Sequence, residues 1–306
     1  MNHNGVETMA SYAAFGGVQS FHRHASNTIG ASMKFGVFRP AASEDRAPAL
    51  IFLAGLTCTE ETFAIKAGAQ RAAIEHGVML ITPDTSPRDT GIEGAKQDWD
   101  FGEGAGFYLD ATRAPWSQRF RMESYITGDL IDALVDTCGV DRERISIFGH
   151  SMGGHGALTL ALRNPGLFRS VSAFAPIASP TQCPWGRKAF TRYLGERVGE
   201  GRDAWDEHDA SALMRRAHRP FPQGILIDQG LADQFLEEQL HPEAFEAACR
   251  ASDQPLTLRR QAGYDHGYYF ISTFVADHIA FHATALDASW NQIKRSDIQS
   301  IKNEVR

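Results

Sequence analysis

The chain has 306 residues, long enough to bury a substantial core. With 43% hydrophobic and 22% charged residues and no excess of Gly or Pro, its composition excludes a collagen-like, low-complexity or disordered protein. The net charge of -7, with acidic and basic residues mixed along the chain, argues against a nucleic-acid-binding surface and leaves any anionic ligand to a local basic group. In chain order, residues 18–24 and 32–38 read as two strands joined by a turn, an antiparallel lead-in. Residues 49–53 form a short buried strand that runs into Gly55-Leu56-Thr57-Cys58-Thr59. A helix over 63–76 stops at Gly77, and a strand over 78–82 halts at Pro83. The segment 85–116 is rich in Gly and Asp yet carries Trp99, Phe101, Phe107 and Tyr108, and a loop of that length is usually functional.

A helix is expected over 125–138, a strand over 145–148 and a helix over 152–163, ended by Asn164-Pro165-Gly166. Strands follow at 171–174 and 225–227, with an irregular stretch over 180–222 between them able to cover the sheet. The last strand is expected at 256–260, followed after His266 by a helix to about 283 and a polar tail over 287–306. This alternation predicts a single α/β domain over 1–306, its core spanning about 15–283, with a mostly parallel central sheet and helices on both faces.

Four cysteines, Cys58, Cys138, Cys183 and Cys249, neither make a disulfide scaffold nor stand at Cys-x-x-Cys spacing, so free thiols in a reducing compartment are expected. Residues 1–17 lack the basic and apolar regions of a signal peptide, and no stretch approaches the ~20 apolar residues of a membrane span. The expectation is a cytoplasmic protein without membrane or nucleic-acid partners.

The strongest local signal is Gly149-x-Ser151-x-Gly153, set between a predicted strand and a predicted helix. That context marks a nucleophile elbow: the serine occupies a sharp strained turn, the flanking glycines leave room for it, and the helix N-terminus faces the reacting centre. A serine hydroxyl needs a base, itself held by an acid, and in this arrangement the chain order is Ser, acid, His. Of twelve histidines, His266, just past the last strand, meets that order best, whereas His278 and His282 fall in the following helix as surface or packing residues. Asp228 and Asp233 compete for the acid. Asp233, in the loop beyond the strand, can reach over the sheet's carboxyl edge and is preferred, with Asp228 read as structural. The oxyanion hole is expected from the backbone N–H groups of Leu56 and Met152.

Several further blocks carry a resemblance that the elbow alone does not. Leu56-Thr57-Cys58-Thr59-Glu60, Pro83-Asp84-Thr85-Ser86-Pro87-Arg88, Trp99-Asp100-Phe101-Gly102, Gly104-Ala105-Gly106-Phe107-Tyr108, Cys183-Pro184-Trp185-Gly186, Asp233-Gln234-Phe235-Leu236 and Gly263-Tyr264-Asp265-His266-Gly267 resemble the S-formylglutathione hydrolase (esterase D) family, as does the elbow. The resemblance spans about 15–283. It implies an α/β-hydrolase fold and a thioesterase that splits S-formylglutathione into glutathione and formate in formaldehyde detoxification. It also implies activity on short-chain esters, no cofactor or metal, a homodimer, and a triad of Ser151, Asp233 and His266. Ala54 stands where a serine is more usual before Gly55-Leu56, and the tail beyond 283 is longer than the family needs.

Some residues stay open at this level. Cys58 lies two residues past the oxyanion loop, beside the site or simply packed. Trp185, Phe101 and Phe107 either restrict the acyl pocket or fill the core. Lys66, Arg88, Arg187 and Lys188 are unranked candidates to meet the carboxylates of glutathione. The rival activity is a general short-chain carboxylesterase; an acyltransferase and a catalytically dead binding protein are further alternatives.

Overall fold

Apolar runs too short for helices recur along the chain, and each becomes a strand of one sheet. The computed structural model describes residues 5–197 and 204–287. Its strands are β1 (Glu7–Ala14), β2 (Gly17–Ser26), β3 (Ala31–Pro40), β4 (Ala47–Leu53), β5 (Met79–Pro83), β6 (Val140–His150), β7 (Val171–Phe174), β8 (Ile225–Gly230) and β9 (Leu256–Gln261). They lie in the order β1-β2-β3-β5-β4-β6-β7-β8-β9. The first three strands and β5 pair antiparallel, and from β5 to β9 every pairing is parallel. The expected antiparallel lead-in and mostly parallel sheet are therefore both present.

Burial follows from position. Strands β5, β7 and β8 are buried at every residue, as parallel strands covered on both faces must be. Strand β2 alternates along each half, its packed side switching between Phe21 and His22, and the edge strand β1 is mostly exposed. β1 escaped the sequence reading because its side chains lack the apolar alternation that packing would impose. β6 is longer than the expected 145–148, since its first half is polar and only the second half is wholly buried.

The helices are α1 (Thr62–Lys66), α2 (Gln70–Glu75), α3 (Met122–Ser124), α4 (Ile131–Thr137), α5 (Met152–Arg163), α6 (Pro184–Leu194), α7 (Ala210–Arg216), α8 (Pro242–Ala251) and α9 (Tyr268–Leu286). The single helix expected over 63–76 is instead α1 and α2, parted at Gly68, whose φ of +66° lies outside the helical region. A π-turn, Tyr125–Leu130, joins α3 to α4 inside the helix expected over 125–138. The stretch read as irregular over 180–222 holds α6 and α7. Helix α8 was missed although Pro242 stands at its first position, a regular start signal. Of the polar tail expected over 287–306, only Asp287 lies within the described residues.

Helix α9 is tied to the sheet by buried polar groups. His278 Nε2–H donates to Asp228 at 3.0 Å, since a carboxylate can only accept, and this leaves His278 Nδ1 to accept from Ser172 Oγ at 2.7 Å. Ser172 Oγ then accepts from His282 Nε2–H at 2.8 Å, His282 Nδ1 accepts from Ser170 Oγ at 2.7 Å, and Ser170 Oγ accepts from Ser146 at 2.8 Å. One carboxylate fixes the direction of the whole relay and the tautomers of both imidazoles. His278 and His282 are thus interior groups, on the packing side of the sequence reading.

Burial holds the imidazoles of His155 and His208 down to about 4 and about 3, and keeps those of His150, His278 and His282 below their ordinary value. Burial alone would raise the Asp228 carboxyl, but hydrogen bonds from His278, Arg259 and Gln261 bring it to about 2. For the histidines the folded value lies below the unfolded ~6.5, so their contribution to stability is complete above that pH and is lost as pH falls. Each removes about 1.4 kcal/mol per pH unit while the unfolded chain binds a proton that the fold refuses. Asp228 acts in the same direction lower down, as pH falls from about 4 to about 2. Urea unfolding should therefore show a stability drop of several kcal/mol between pH 7.5 and pH 5, approaching one proton per buried histidine; a flat profile over that window would contradict this account.

Candidate active site

The site lies at the carboxyl edge of the parallel strands, where β4, β6, β8 and β9 each deliver one part. β6 pairs with β4 so that Gly149 stands beside Leu53, and the chain then turns into α5 at Ser151. Ser151 has φ 58° and ψ -120°, a backbone conformation that costs a non-glycine residue on the order of 1–3 kcal/mol and persists only when its surroundings enforce it. Here three backbone bonds do so: the Ser151 N–H donates to Phe174 O at 3.0 Å, and the Ser151 carbonyl accepts from His155 N at 2.9 Å and Ile177 N at 3.2 Å. The turn closes this tightly because its flanks lack side chains. A Cβ on Gly153 would stand 1.9 Å from Leu53 O, and one on Gly149 would stand 2.2 Å from Gly153 O.

That packing sets the loop after β4 against the turn, so that a Cβ on Gly55 would stand 3.3 Å from Ser151 Cβ and 3.2 Å from His150 Nδ1. The Ala54 carbonyl accepts from Tyr108 Oη at 2.9 Å and the Thr57 N–H donates to Gly104 O at 2.9 Å, so the long loop over 85–116 braces the strand end. Among the described residues, neither the Leu56 nor the Met152 N–H makes a backbone hydrogen bond; Met152 opens α5, where first-turn donors have no partner within the helix.

On the other side of the site, His266 follows β9. Its Nδ1 lies 2.6 Å from Asp233 Oδ2. The carboxylate can only accept, so Nδ1 carries the proton and Nε2 keeps a lone pair. Asp233 is wholly buried at its side chain and is held by the Phe235 N–H at 2.8 Å on Oδ1 and by Gln229 Nε2 at 3.3 Å on Oδ2. Asp228 faces elsewhere. Arg259 donates to both its oxygens, and Gln261 and His278 complete its shell, so the two aspartates of this region serve different partners.

Ser151 and His266 line one cavity of about 280 Å³ together with Gly55, Leu56, Cys58, Trp185 and Lys66. The His266 ring sits between His150, with ring centroids 4.4 Å apart, and Phe235, edge-on at 4.9 Å. Burial first, and then the neighbouring His266, hold the His150 imidazole well below its ordinary value, so it is a neutral wall at physiological pH. Trp185, lifted over the cavity by the start of α6, packs against Phe235 at 4.8 Å and against the half-exposed Trp99 at 5.5 Å. Phe101 and Phe107 do not line the cavity. Phe101 packs on Tyr193 and Trp116, and Phe107 on His155 and Phe190, which is the core-filling reading.

The candidate cations separate as clearly. Arg88 is locked onto Asp84 and Cys58 O, Arg187 donates to Thr181 O at 3.0 Å, and Lys188 pairs with Asp100 at 2.6 Å. Lys66 alone of the four lines the cavity. Gln229 and His150 were not foreseen as site residues. Alternation along β8 places Gln229 opposite Asp228, a signal that becomes readable only once Asp233 is known to lie on that side. Among the described residues no cluster of three or more His, Cys, Asp or Glu is arranged to hold a metal ion, and no helix is long and apolar enough to cross a membrane. All four cysteines are free.

The comparisons with known proteins fit this geometry. The esterase family model matches residues 26–281. The S-formylglutathione hydrolase of Rattus norvegicus is 50% identical over 285 residues, covering 92% of this chain and 99% of the rat protein. That of Paracoccus denitrificans is 48% identical over 281 residues, covering 92% and 98%. The solved structure of an S-formylglutathione hydrolase from Agrobacterium tumefaciens superposes with a TM-score of 0.87 at 45% identity, covering 92% of this chain and all of that one.

Burial pushes the Cys58 thiol up, by more than its contacts with Thr62, Tyr268 and Lys66 pull it down, so at neutral pH the group is a protonated thiol beside the cavity. Iodoacetamide should inactivate the protein slowly at pH 7 and much faster above pH 9, by placing bulk in the cavity. Cys58→Ala should keep most of its turnover, and a folded but inactive Cys58→Ala protein would show that the thiol takes part.

Proposed function

The chain belongs to the S-formylglutathione hydrolase family of esterases, and on that premise we propose that it is a serine thioesterase that splits S-formylglutathione into glutathione and formate. The observation that carries the reading is the cavity shared by Ser151 and His266, with His266 Nδ1 held 2.6 Å from the buried Asp233. Ser151 is the nucleophile, His266 the base and Asp233 the group that fixes its tautomer and supports its charge.

His266 Nε2 takes the Ser151 proton as Oγ attacks the formyl carbon. The oxygen that gains charge rests on the N–H groups of Leu56 and Met152, which have no backbone partner to give up first. The carbon–sulfur bond breaks and glutathione leaves with the proton from His266, leaving a formyl ester on Ser151. A water deprotonated by His266 then attacks that ester and releases formate. A formyl group carries only hydrogen on its carbonyl carbon, so it takes up little of the cavity of about 280 Å³ and leaves the rest to the leaving group. No step calls for a cofactor.

The family resemblance also supports a cytoplasmic homodimer. Met9, Tyr12, Phe15 and Val18 are exposed apolar side chains at the antiparallel end of the sheet, a surface suited to a second copy. Light scattering behind size exclusion should give twice the chain mass, and a monomer at micromolar concentration would remove the dimer from the proposal.

Ser151→Ala should abolish turnover with a thermal transition close to that of the parent, and Asp233→Asn should lower kcat on the order of 10³–10⁴-fold. The deciding comparison is kcat/KM for S-formylglutathione against short p-nitrophenyl esters. A strong preference for the thioester supports the proposal; a preference for the oxygen esters would make the protein a general short-chain carboxylesterase.

A further inference from the structure

The thioesterase reading leaves unassigned what recognises the glutathione moiety, and Lys66 is placed to do so. It closes the short helix α1 and, among the described residues, is the only lysine or arginine lining the cavity that contains Ser151. Among the described residues it makes no hydrogen bond or ion pair; its ammonium lies 5.7 Å from the ring centroid of Tyr268, another cavity residue. Arg88 and Lys188 are paired with Asp84 and Asp100, Arg187 donates its Nε–H to the Thr181 carbonyl, and none of the three lines the cavity.

Glutathione at neutral pH carries two carboxylates and one ammonium. The γ-glutamyl carboxylate shares its carbon with that ammonium, so its charge is already partly balanced within the ligand. The glycyl carboxylate is alone, about six bonds from the sulfur, a reach of roughly 7 Å when extended. We propose that Lys66 is a specificity residue, its ammonium receiving the glycyl carboxylate of the thioester while the formyl group sits at Ser151. The proposal rests on the thioesterase reading. An exposed ammonium that lines a cavity, with no protein carboxylate to surrender, binds an incoming carboxylate without first breaking an existing pair.

The test compares S-formylglutathione, its analogue with the glycyl carboxylate converted to an amide, and p-nitrophenyl acetate, each with the parent protein, Lys66→Ala and Lys66→Arg. Lys66→Ala should lower kcat/KM for S-formylglutathione about ten-fold relative to p-nitrophenyl acetate, with the loss in KM rather than kcat. Lys66→Arg should restore most of it, and the amide analogue should not distinguish parent from Lys66→Ala. The parent's preference for S-formylglutathione over the amide should shrink with added salt. Equal losses on all three substrates would assign Lys66 a structural role and overturn the proposal, as would no loss on any. If the parent itself has no preference for S-formylglutathione over the neutral ester, the thioesterase reading falls and the assignment of Lys66 falls with it. That outcome is distinct from a parent that prefers the thioester without help from Lys66.

Discussion

Everything at the carboxyl edge of this sheet depends on how closely two stretches of backbone approach one another. The turn between β6 and α5 presses on the end of β4 until the Gly153 Cα faces the Leu53 carbonyl with no space for a methyl group. That approach forces Ser151 into its positive-φ turn and brings Gly55 up to the Ser151 side chain. The proposed oxyanion hole draws on these same two stretches, Leu56 after β4 and Met152 at the start of α5, whose N–H groups make no backbone hydrogen bond among the described residues. A single steric condition, met by glycines on both sides of the serine, therefore sets the serine turn against the loop after β4 without using any side chain for the purpose.

The second constraint is the separation of two carboxylates only five positions apart. Asp228 lies inside a buried strand and is consumed by Arg259, Gln261 and His278; Asp233 lies beyond the strand and turns to His266. Each is buried and each would be costly to leave unpaired, so each has its own donors. Asp228 ties β8 to β9 and to α9, the elements on either side of His266. Asp233 holds the imidazole itself. The scaffold's carboxylate and the site's carboxylate could not exchange places, because their partners approach from different directions.

Much of this was legible in the sequence, for identifiable reasons. The elbow is a local motif whose strand and helix context can be read from a dozen residues. Asp233 and His266 follow from chain order combined with the end of a strand. The parallel core is legible because strands buried on both faces read as unbroken apolar runs. What escaped depends on information that does not lie along the chain. β1 is exposed and thus carries little apolar pattern, and β6 begins with Asp141-Arg142-Glu143-Arg144, polar residues that only pairing makes a strand. The helix over 63–76 was expected whole because one Gly is tolerated in a helical pattern, whereas the fold uses Gly68 as a break. Lys66, Arg88, Arg187 and Lys188 are equivalent as letters. They differ in what is already bound to them, and only three-dimensional packing records that.

The buried relay from Ser146 to Asp228 has one more implication, which concerns how the protein is made. His266 stands immediately before α9, and α9 is held by imidazoles whose hydrogens all point one way because a single carboxylate terminates the line. The chain after β9 is held from the side of β8 as well, where the Ala232 N–H donates to the Tyr264 carbonyl at 2.9 Å and Asp233 accepts from His266. Asp233 and His266 both follow Ser151 in the chain, so a polypeptide emerging from the ribosome carries the elbow sequence before it carries the residues that face it. On the proposed mechanism, a chain that stops before His266 has no base and is silent.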